Sequence, residues 1–322
     1  MPGGHAQTVG GKYLRPLHPL PLTRERWDTP DGDFLDLDFA PEVAPDAPLV
    51  VVLHGLGGFT RRPYMLAAYW ELANRGLRAV GLNFRGCGGE LNRLPRLYHS
   101  GETGDLGFVV DTLRVRYPDR PIGVLGFSLG GNVLLKYLGE RGESAPVGAG
   151  ATISVPFDLA AGSRRLEEGV MGRAYTRYFL KDLKSKALGK AHLVRPHIDL
   201  DAALAAETIW AFDDVATAPL HGFEDAADYY ARSSSKFFLD RVRTPAILIQ
   251  SRNDPFFPYD PAPEQSARES DHLVAAFFDH GGHAGFVAGA RPWAPTFWAE
   301  AEAARFLADQ LQAAAPGGPP TA

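Results

Sequence analysis

The sequence predicts an α/β fold, with a mostly parallel eight-stranded sheet and helices on both of its faces. Short β-branched apolar runs recur along the chain, and amphipathic helical patterns separate most of them. Strands of a parallel sheet are covered on both faces, so they appear as continuous apolar runs. Hydrophobic residues make up 45% and charged residues 22% of the chain, values that exclude a disordered or fibrous protein.

The strands and helices follow in a regular order after an irregular start. Residues 33–39 alternate apolar residues with acids, which predicts a half-exposed strand near the sheet edge, paired with residues 24–29. Apolar runs predict six further strands, at 48–54, 77–84, 121–127, 150–155, 245–250 and 273–278. Helical spacing and end signals predict helices at 63–74, 105–117, 129–138 and 295–312.

One connection is far too long to be a loop, because about 85 residues separate the strand that ends near Val155 from the next, where loops usually have about 2 to 6. Met171, Tyr175 and Phe179 share one helical stripe within it. We therefore predict a helical cap, residues 158–240, inserted between strands 6 and 7. The core would comprise residues 1–157 and 241–314, followed by a disordered tail at 315–322. The cap is basic in its first half and acidic in its second, which predicts ion pairs between the halves.

Composition also limits the partners of the protein. The net charge of −5 leaves no positive field for a phosphate backbone, so we expect no nucleic-acid partner. The single cysteine, Cys87, forms no intrachain disulfide, and no apolar run reaches the length of a signal peptide or a membrane span. These features predict a cytoplasmic protein. Phosphate loops, paired cysteines and zinc-binding histidine pairs are missing from the sequence, which predicts neither metal nor cofactor.

The pentapeptide Gly126-Phe-Ser-Leu-Gly130 is the first sign of chemistry. It lies where a predicted strand meets a predicted helix, the context in which a strained turn exposes a serine hydroxyl above the sheet. The glycines two residues before and after Ser128 let strand and helix approach closely. A glycine-rich turn that binds nothing, or one that binds phosphate, is the alternative for this pattern alone.

A nucleophilic serine needs a histidine base and a carboxylate that orients it. His283 follows the last predicted strand, where a hydrolase of this topology carries its base, and Asp254 follows the strand before it. His280 and His272 are rival bases, and Asp158 is the rival acid. His272 precedes its strand and so lies at the opposite end of the sheet.

An oxyanion hole needs two backbone N–H groups near the nucleophile. One is the amide of Leu129, the residue after the serine. The turn His54-Gly-Leu-Gly-Gly58 follows the first central strand and supplies the second, which we assign to Leu56, with Gly57 as a close alternative.

Eight motifs occur together in one order between Gly4 and Phe286. They are Gly4-His-Ala-Gln-Thr8, His54-Gly-Leu-Gly-Gly58, Asn83-Phe-Arg-Gly-Cys-Gly-Gly-Glu90, Tyr98-His-Ser-Gly-Glu-Thr103, Gly126-Phe-Ser-Leu-Gly-Gly-Asn132, Asp213-Asp-Val-Ala-Thr-Ala-Pro-Leu-His-Gly-Phe223, Asn253-Asp-Pro-Phe-Phe257 and Gly281-Gly-His-Ala-Gly-Phe286. With them the chain resembles the YheT-like α/β-hydrolases, bacterial relatives of the eukaryotic alpha/beta-hydrolase-domain lipases. The resemblance implies the α/β-hydrolase fold, hydrolysis of carboxylic esters, and Ser128, Asp254 and His283 as nucleophile, acid and base.

The substrate class that this resemblance implies is a small acyl ester or an acylglycerol-like lipid. Peripheral contact with lipid is a further expectation from the basic, aromatic stretch 173–190. Two alternatives stay open at this point: an acyltransferase that uses the same triad, and a ligand-binding protein without catalysis on the same fold. Arg85, Cys87 and Glu90 are expected in a salt-bridged turn, and Ser100 is expected to cap a helix that starts near His99 and Glu102.

Overall fold

A computed structural model describes residues 3–289 and 295–313 of the 322-residue chain. Eight strands form one sheet in the order β1-β2-β4-β3-β5-β6-β7-β8. The strands are β1 (Thr23–Asp28), β2 (Phe34–Phe39), β3 (Leu49–Leu53), β4 (Arg78–Asn83), β5 (Ile122–Phe127), β6 (Ala149–Ile153), β7 (Ala246–Ser251) and β8 (Leu273–Phe278). A separate short ribbon pairs β9 (Val287–Ala288) with β10 (Thr296–Phe297).

The sheet is parallel from β4 to β8, and β2 is antiparallel to both of its neighbours, β1 and β4. The eight predicted strands and the mostly parallel sheet are confirmed. Because parallel strands end at the same edge, the loops after β3, β5, β6, β7 and β8 come together there. This edge carries the candidate site.

Helices cover both faces of the sheet, as the apolar runs of the strands require. One buried cluster joins the sheet to α3 and α4, and a second joins its other face to α2 and α13. The helices are α1 (Gly4–Tyr13), α2 (Pro63–Ala73), α3 (Gly104–Arg116), α4 (Leu129–Arg141), α5 (Leu159–Glu167), α6 (Gly169–Gly189), α7 (Ala191–Val194), α8 (Leu200–Ala205), α9 (Ile209–Phe212), α10 (Ala218–Leu220), α11 (Ala226–Ser233), α12 (Pro261–Glu269) and α13 (Trp298–Ala313).

Strand β2 is not the half-exposed strand that its alternating pattern predicts. All six of its residues are buried, and β1 forms the edge instead. The pairing of β1 with β2 is as predicted. Buried acids on β2 are tolerated because cations face them: Arg26 binds Asp36, and Arg24 binds Asp38 through two bonds of 3.1 and 2.6 Å.

Helices α5 to α11 all lie between β6 and β7, in the segment predicted as a cap. This cap segment, residues 158–240, has an apolar cluster of its own, built around Phe179, Leu183 and Phe212. The predicted pairing of its basic and acidic halves is largely wrong: within this fully described segment, Arg195 and Asp201 form the one ion pair between them. Lys190 instead points its ammonium at uncharged oxygens of residues 92–96 outside the cap.

Helix α1 is an element that the sequence pattern did not predict. Glycines and polar residues dominate it, so it has no continuous apolar stripe. It packs where the chain returns after β8, with Gly11 against Gly285 so closely that an added Cβ would lie 2.7 Å from the Gly285 Cα atom. The predicted tail at 315–322 lies outside the described residues.

Candidate active site at the carboxyl edge of the sheet

Ser128 occupies a strained turn between β5 and α4. Its φ of 51° lies in the left-handed region, which is costly for a residue with a side chain. Two close approaches explain the flanking glycines: a Cβ on Gly126 would lie 2.4 Å from the Gly130 oxygen, and one on Gly130 would lie 2.6 Å from the Leu53 Cβ atom. The Ser128 amide also donates to the Ile153 carbonyl, which ties the turn to the end of β6. The turn therefore presents the hydroxyl at the carboxyl edge of the sheet.

Asp254 and His283 meet at the same edge, after β7 and β8. The Nδ1 atom of His283 lies 2.9 Å from Oδ2 of Asp254, whose side chain is 1% exposed. The other carboxylate oxygen, Oδ1, accepts the Phe256 amide at 2.8 Å. Both oxygens are thus oriented, and the histidine keeps Nε2 available for a proton from elsewhere.

Aromatic rings connect this pair to the serine. The ring of Phe256 stacks on the His283 imidazole with a centroid distance of 4.2 Å, and Phe257 meets it edge-on at 5.3 Å. Both phenylalanines line one cavity with Ser128. Within residues 3–289 and 295–313 no hydrogen bond joins the Ser128 hydroxyl to His283. Such bonds are often long without substrate and tighten when it binds.

The rival residues have other partners. His280 lies within 3.3 Å of the Asn253 side chain, and His272 lies at the opposite end of the sheet, where its carbonyl accepts the amide that begins β7. Asp158 caps α5 through the Ala161 amide and pairs with Lys236 at 2.5 Å. The arrangement therefore favours His283 and Asp254 over these three.

The turn after β3 leaves one amide without a partner. Its Gly55 amide donates to the Tyr64 hydroxyl, the Gly57 amide to the Tyr98 hydroxyl, and the Gly58 amide back to Gly55. Among the described residues, neither the Leu56 nor the Leu129 amide has a hydrogen-bond partner. Since Gly57 is occupied, the geometry favours Leu56 as the second oxyanion donor.

His54, which precedes this turn, is a structural residue. Its Nε2 accepts the Phe84 amide at 3.2 Å, and burial lowers the pKa of its imidazole to about 3. It therefore stays neutral and holds the turn after β3 against the end of β4.

The cavity beside Ser128 encloses about 720 Å³, including its open mouth. Sheet loops and the cap segment share its wall, and most of its lining is apolar. The apolar lining residues are Leu56, Leu129, Pro156, Leu159, Leu166, Phe179, Leu183, Ile209, Phe256 and Phe257.

A polar group on the cap side of this cavity was not identified from the sequence. Asp213 lies in a π-helical turn, Asp213–Thr217, and accepts hydroxyls from Thr217 at 2.6 Å and from Tyr230 at 2.7 Å. Burial raises the pKa of its carboxyl to about 6. The motif from Asp213 to Phe223 was the only signal for it, since helical spacing alone does not show which face borders a cavity.

The turn after β4 is structural, as expected. Arg85 is buried and binds Asp105, Asp33 and Asp31. Glu90 pairs with Arg26 at 2.7 Å. Burial raises the pKa of the Cys87 thiol to about 12, which leaves it without nucleophilic character.

The capping role predicted for Ser100 is wrong. Helix α3 begins at Gly104, and Oε1 of Glu102 accepts the Gly104 amide at 2.9 Å. Ser100 instead donates its amide to the Tyr229 hydroxyl at 2.9 Å, and its carbonyl accepts the Asn132 side-chain amide at 2.8 Å. Ser100 also borders the cavity. His99 beside it is buried, which lowers its pKa to about 3.

Comparison with known proteins places this geometry in context. Residues 48–290 match the family model described as the alpha/beta hydrolase fold. The chain is 36% identical to YheT, a candidate esterase of Escherichia coli (strain K12), over 96% of this chain and 91% of that protein. It is 30% identical to human Phospholipase ABHD3 over 91% of this chain and 74% of that one.

Monoacylglycerol lipase of Saccharomyces cerevisiae is 29% identical over 82% of this chain and 59% of its own length. Among solved structures, the Pyrococcus furiosus esterase Pf2001 superposes with a TM-score of 0.59 at 17% identity, over 91% of this chain and 94% of that one. That likeness concerns the fold. None of the helices in the described ranges has the length and apolar character needed to cross a membrane.

Proposed function

Because this chain belongs to the α/β-hydrolase family and is a carboxylic ester hydrolase, we propose that it works through an acyl-enzyme formed on Ser128. The observation that carries the proposal is the 2.9 Å contact of His283 with Asp254, at the same sheet edge as the strained Ser128 turn. In this arrangement Ser128 is the nucleophile, His283 the general base and Asp254 the acid that orients the imidazole.

Acylation begins when the Ser128 hydroxyl attacks the ester carbonyl and His283 Nε2 takes its proton. Asp254 accepts a hydrogen bond from Nδ1 of His283, which holds the tautomer whose Nε2 can accept that proton. The carboxylate also stabilises the imidazolium that forms. The negative charge that develops on the carbonyl oxygen is bound by the Leu56 and Leu129 amides. Collapse of the tetrahedral intermediate releases the alcohol, which receives the proton from His283.

Deacylation repeats these steps with water as the nucleophile. His283 takes a proton from the water as it attacks the acyl-enzyme, and the same two amides bind the second oxyanion. Ser128 leaves with the proton that His283 returns, which frees the carboxylic acid. In both halves of the reaction, every proton is therefore transferred between His283 and either Ser128, the alcohol or water.

The apolar cavity supports acyl esters, including acylglycerol-like lipids, as the substrate class. An acyl chain that lies against Leu166, Phe179 and Ile209 would be removed from water along its length. The names of the relatives, a phospholipase and a monoacylglycerol lipase among them, are in keeping with lipid esters. In this proposal the cap segment forms the wall that sets chain length.

The proposal is tested by labelling the protein with a fluorophosphonate and by hydrolysis of p-nitrophenyl esters from acetate upward. We expect labelling in the native protein, none in Ser128→Ala, and unchanged labelling in Ser144→Ala, whose hydroxyl caps an exposed turn far from the site. Ester hydrolysis that survives in Ser128→Ala would contradict the assignment. Tight ligand binding without labelling would indicate a binding protein, and acyl transfer to an added alcohol in preference to water would indicate an acyltransferase.

A surface beside the site has the chemistry of a lipid-contacting face. Helices α1 and α6 touch there, with the ring of His5 stacked on Tyr175 and the Lys12 ammonium 4.4 Å from the Tyr178 ring centroid. Tyr13 and Leu17 are 73% and 72% exposed. Helices α1 and α6 also carry exposed cations, and in the described part of the chain these form no ion pairs: Lys12, Arg173, Arg177 and Lys181.

This α1–α6 surface combines exposed apolar side chains with unpaired positive charge, so it fits an anionic lipid bilayer. Sedimentation with phosphatidylglycerol vesicles is expected to exceed sedimentation with phosphatidylcholine vesicles and to fall with salt. Tyr13→Ser combined with Leu17→Ser should abolish it, whereas Val115→Ser, on an 83% exposed site of α3, should not. Equal binding by the double variant and the native protein would exclude this surface.

A further inference from the structure

The loop that carries His283 is held by side chains from three separate parts of the chain. Oδ1 of Asn253 accepts the amides of Gly281 and Gly282 at 3.1 and 3.0 Å. Oγ1 of Thr8 accepts the amide of His283 itself at 2.9 Å, and Oγ of Ser154 accepts the amide of Ala284 at 2.8 Å. Four consecutive amides of this loop are therefore bound by side-chain oxygens rather than by a strand or helix.

The loop needs such support because its own backbone is strained. Ala284 and Phe286 have φ values of 49° and 42°, in the region that residues with side chains rarely adopt. Conformations of this kind persist only where the surroundings fix them. The hydrogen bonds to the amides of residues 281–284 are the contacts that fix this strained backbone near His283.

Two of the anchors belong to α1. The Thr8 hydroxyl donates its hydrogen to the Gly4 carbonyl at 2.8 Å, so its oxygen faces the His283 amide as an acceptor. Gln7, one residue earlier, binds both backbone groups of Val287: Oε1 accepts the amide at 2.7 Å and Nε2 donates to the carbonyl at 3.3 Å. Helix α1 thus grips the loop at His283 and again four residues later.

We propose that Thr8, supported by Gln7, is a positioning residue that holds His283 in register with Asp254 and Ser128. The inference rests on the proposed function, since it gives α1 a role through the general base. It also accounts for the Gly4-His-Ala-Gln-Thr8 motif, which the proposed chemistry leaves unused. That helix lies outside residues 48–290, which match the family model.

The physical reason is that a base must hold its geometry through two proton transfers. The Asp254 contact sets the orientation of the imidazole ring, but the backbone of His283 sets the position of that ring relative to Ser128. Without the Thr8 oxygen, the His283 amide loses its partner and a strained loop loses one of its constraints. Misplacement of a catalytic group by about 1 Å can cost on the order of 100-fold in rate.

The test is Thr8→Val, with the hydroxyl restored in Thr8→Ser. We expect Thr8→Val to lower kcat for a soluble p-nitrophenyl ester by about 10- to 100-fold with little change in KM, because the substrate pocket is untouched. The rate of fluorophosphonate reaction at Ser128 should fall by a similar factor, since it also needs His283. Thr8→Ser should recover most of both rates.

The matched control is Thr112→Val. Thr112, in α3, makes the same bond to the carbonyl four residues earlier, at 2.7 Å, but lies far from the loop. If Thr112→Val and Thr8→Val lower both rates equally, or if Thr8→Val leaves them unchanged, the inference is wrong. Should Thr8→Val not fold, Thr8→Ala takes its place, because it also removes the oxygen that accepts the His283 amide: a loss of both rates that Thr8→Ser recovers supports the inference, and unchanged rates overturn it.

Failure of the proposed function has a different signature. In that case the native protein itself shows no labelling at Ser128 and no ester hydrolysis, whatever the residue at position 8. If the native protein is labelled at Ser128 and Thr8→Val is labelled and hydrolyses esters at the same rates, only the positioning role is overturned.

Discussion

The groups after β5, β7 and β8 and the groups of the cap segment face each other across one cavity, and they are fixed in different ways. On the sheet side, Ser128 is tied to β6 through its amide, and His283 is held by Asp254 and Thr8. On the cap side, Asp213 is held by two hydroxyls inside an apolar cluster, in a short π-helical turn. The difference supports the proposal that the sheet edge carries the chemistry and that the cap selects the substrate.

The largest expected effect is on the sheet side. Asp254→Asn should lower kcat by roughly 10³- to 10⁴-fold, because an amide favours the wrong tautomer of His283 and cannot stabilise its imidazolium. Steady-state hydrolysis of a p-nitrophenyl ester measures it. Asp158→Asn is the control, since Asp158 caps α5 and pairs with Lys236, and its kcat should stay within about threefold of native. The reverse order of the two variants would move the acid to Asp158.

The next prediction concerns pH and the cap side. Burial raises the pKa of Asp213 to about 6, so the folded protein holds this proton more tightly than the unfolded chain does. Stability from this group is therefore lost as pH rises from about 4 to about 6, and the loss is complete above that window. Asparagine does not titrate, so the variant lacks this loss. The free energy of unfolding of Asp213→Asn minus that of the native protein should therefore rise by up to about 3 kcal/mol between pH 4 and pH 7.5.

Urea unfolding of both proteins at several pH values measures this difference. Comparison of the two curves removes the contribution of every other carboxylate. A stability difference that does not change between pH 4 and pH 7.5 would contradict the raised pKa of Asp213.

A third prediction tests the close packing beneath Ser128. Gly130→Ala should cost about 1 to 3 kcal/mol in stability, because its Cβ would lie 2.6 Å from the Leu53 side chain and 2.7 Å from the Leu53 oxygen. The activity of the folded fraction should fall as well, since strand and helix must separate at the turn. Gly107→Ala in α3 is the control, because a Cβ at this position would meet only atoms at 3.4 Å or farther. Alanine is also favoured over glycine within a helix, so the stability of this variant should equal or exceed that of the native protein. Thermal unfolding distinguishes the two.

The smallest expected effect belongs to the cap wall. Phe179→Leu removes volume from the cavity lining, so the ratio of kcat/KM for a longer acyl ester to that for acetate should rise by about tenfold. Phe212→Leu changes a buried ring of the same apolar cluster that does not line the cavity, and it should leave that ratio unchanged. If both variants shift the ratio equally, the cap affects selectivity through its stability and not through its wall.

Elements with a local cause were predicted well from the sequence. The parallel strands are continuous apolar runs, and the Ser128 turn depends on glycines two residues to either side, so both can be recognised within a few positions. The placement of Asp254 and His283 needed only the chain order, because parallel strands end at one edge of the sheet. Their roles in catalysis stay predictions until the variants are measured.

Elements that depend on distant partners were missed. The alternating acids of β2 indicated exposure, yet Arg24 and Arg26 of β1 cover them, and no local pattern carries that information. Ser100 is expected from the sequence to cap α3, but it is the Glu102 carboxylate that accepts the first amide of this helix. The Ser100 amide instead donates to the hydroxyl of Tyr229, in the cap segment. The sequence already favours Leu56 as the second amide donor, with Gly57 as a close alternative, and the Tyr98 hydroxyl that occupies the Gly57 amide is a distant partner that adds support for Leu56.

The sequence by itself determined the order of the strands, the strained turn at Ser128 and the positions of Asp254 and His283 along the chain, because those features follow from periodicity, glycine sterics and strand direction. Only the tertiary structure decided which amides are free, which cap residues border the cavity and why a glycine-rich N-terminal helix exists. Each of those depends on contacts between residues up to 280 positions apart, such as Gln7 with Val287, and hydrogen bonds at that separation leave no period in the sequence.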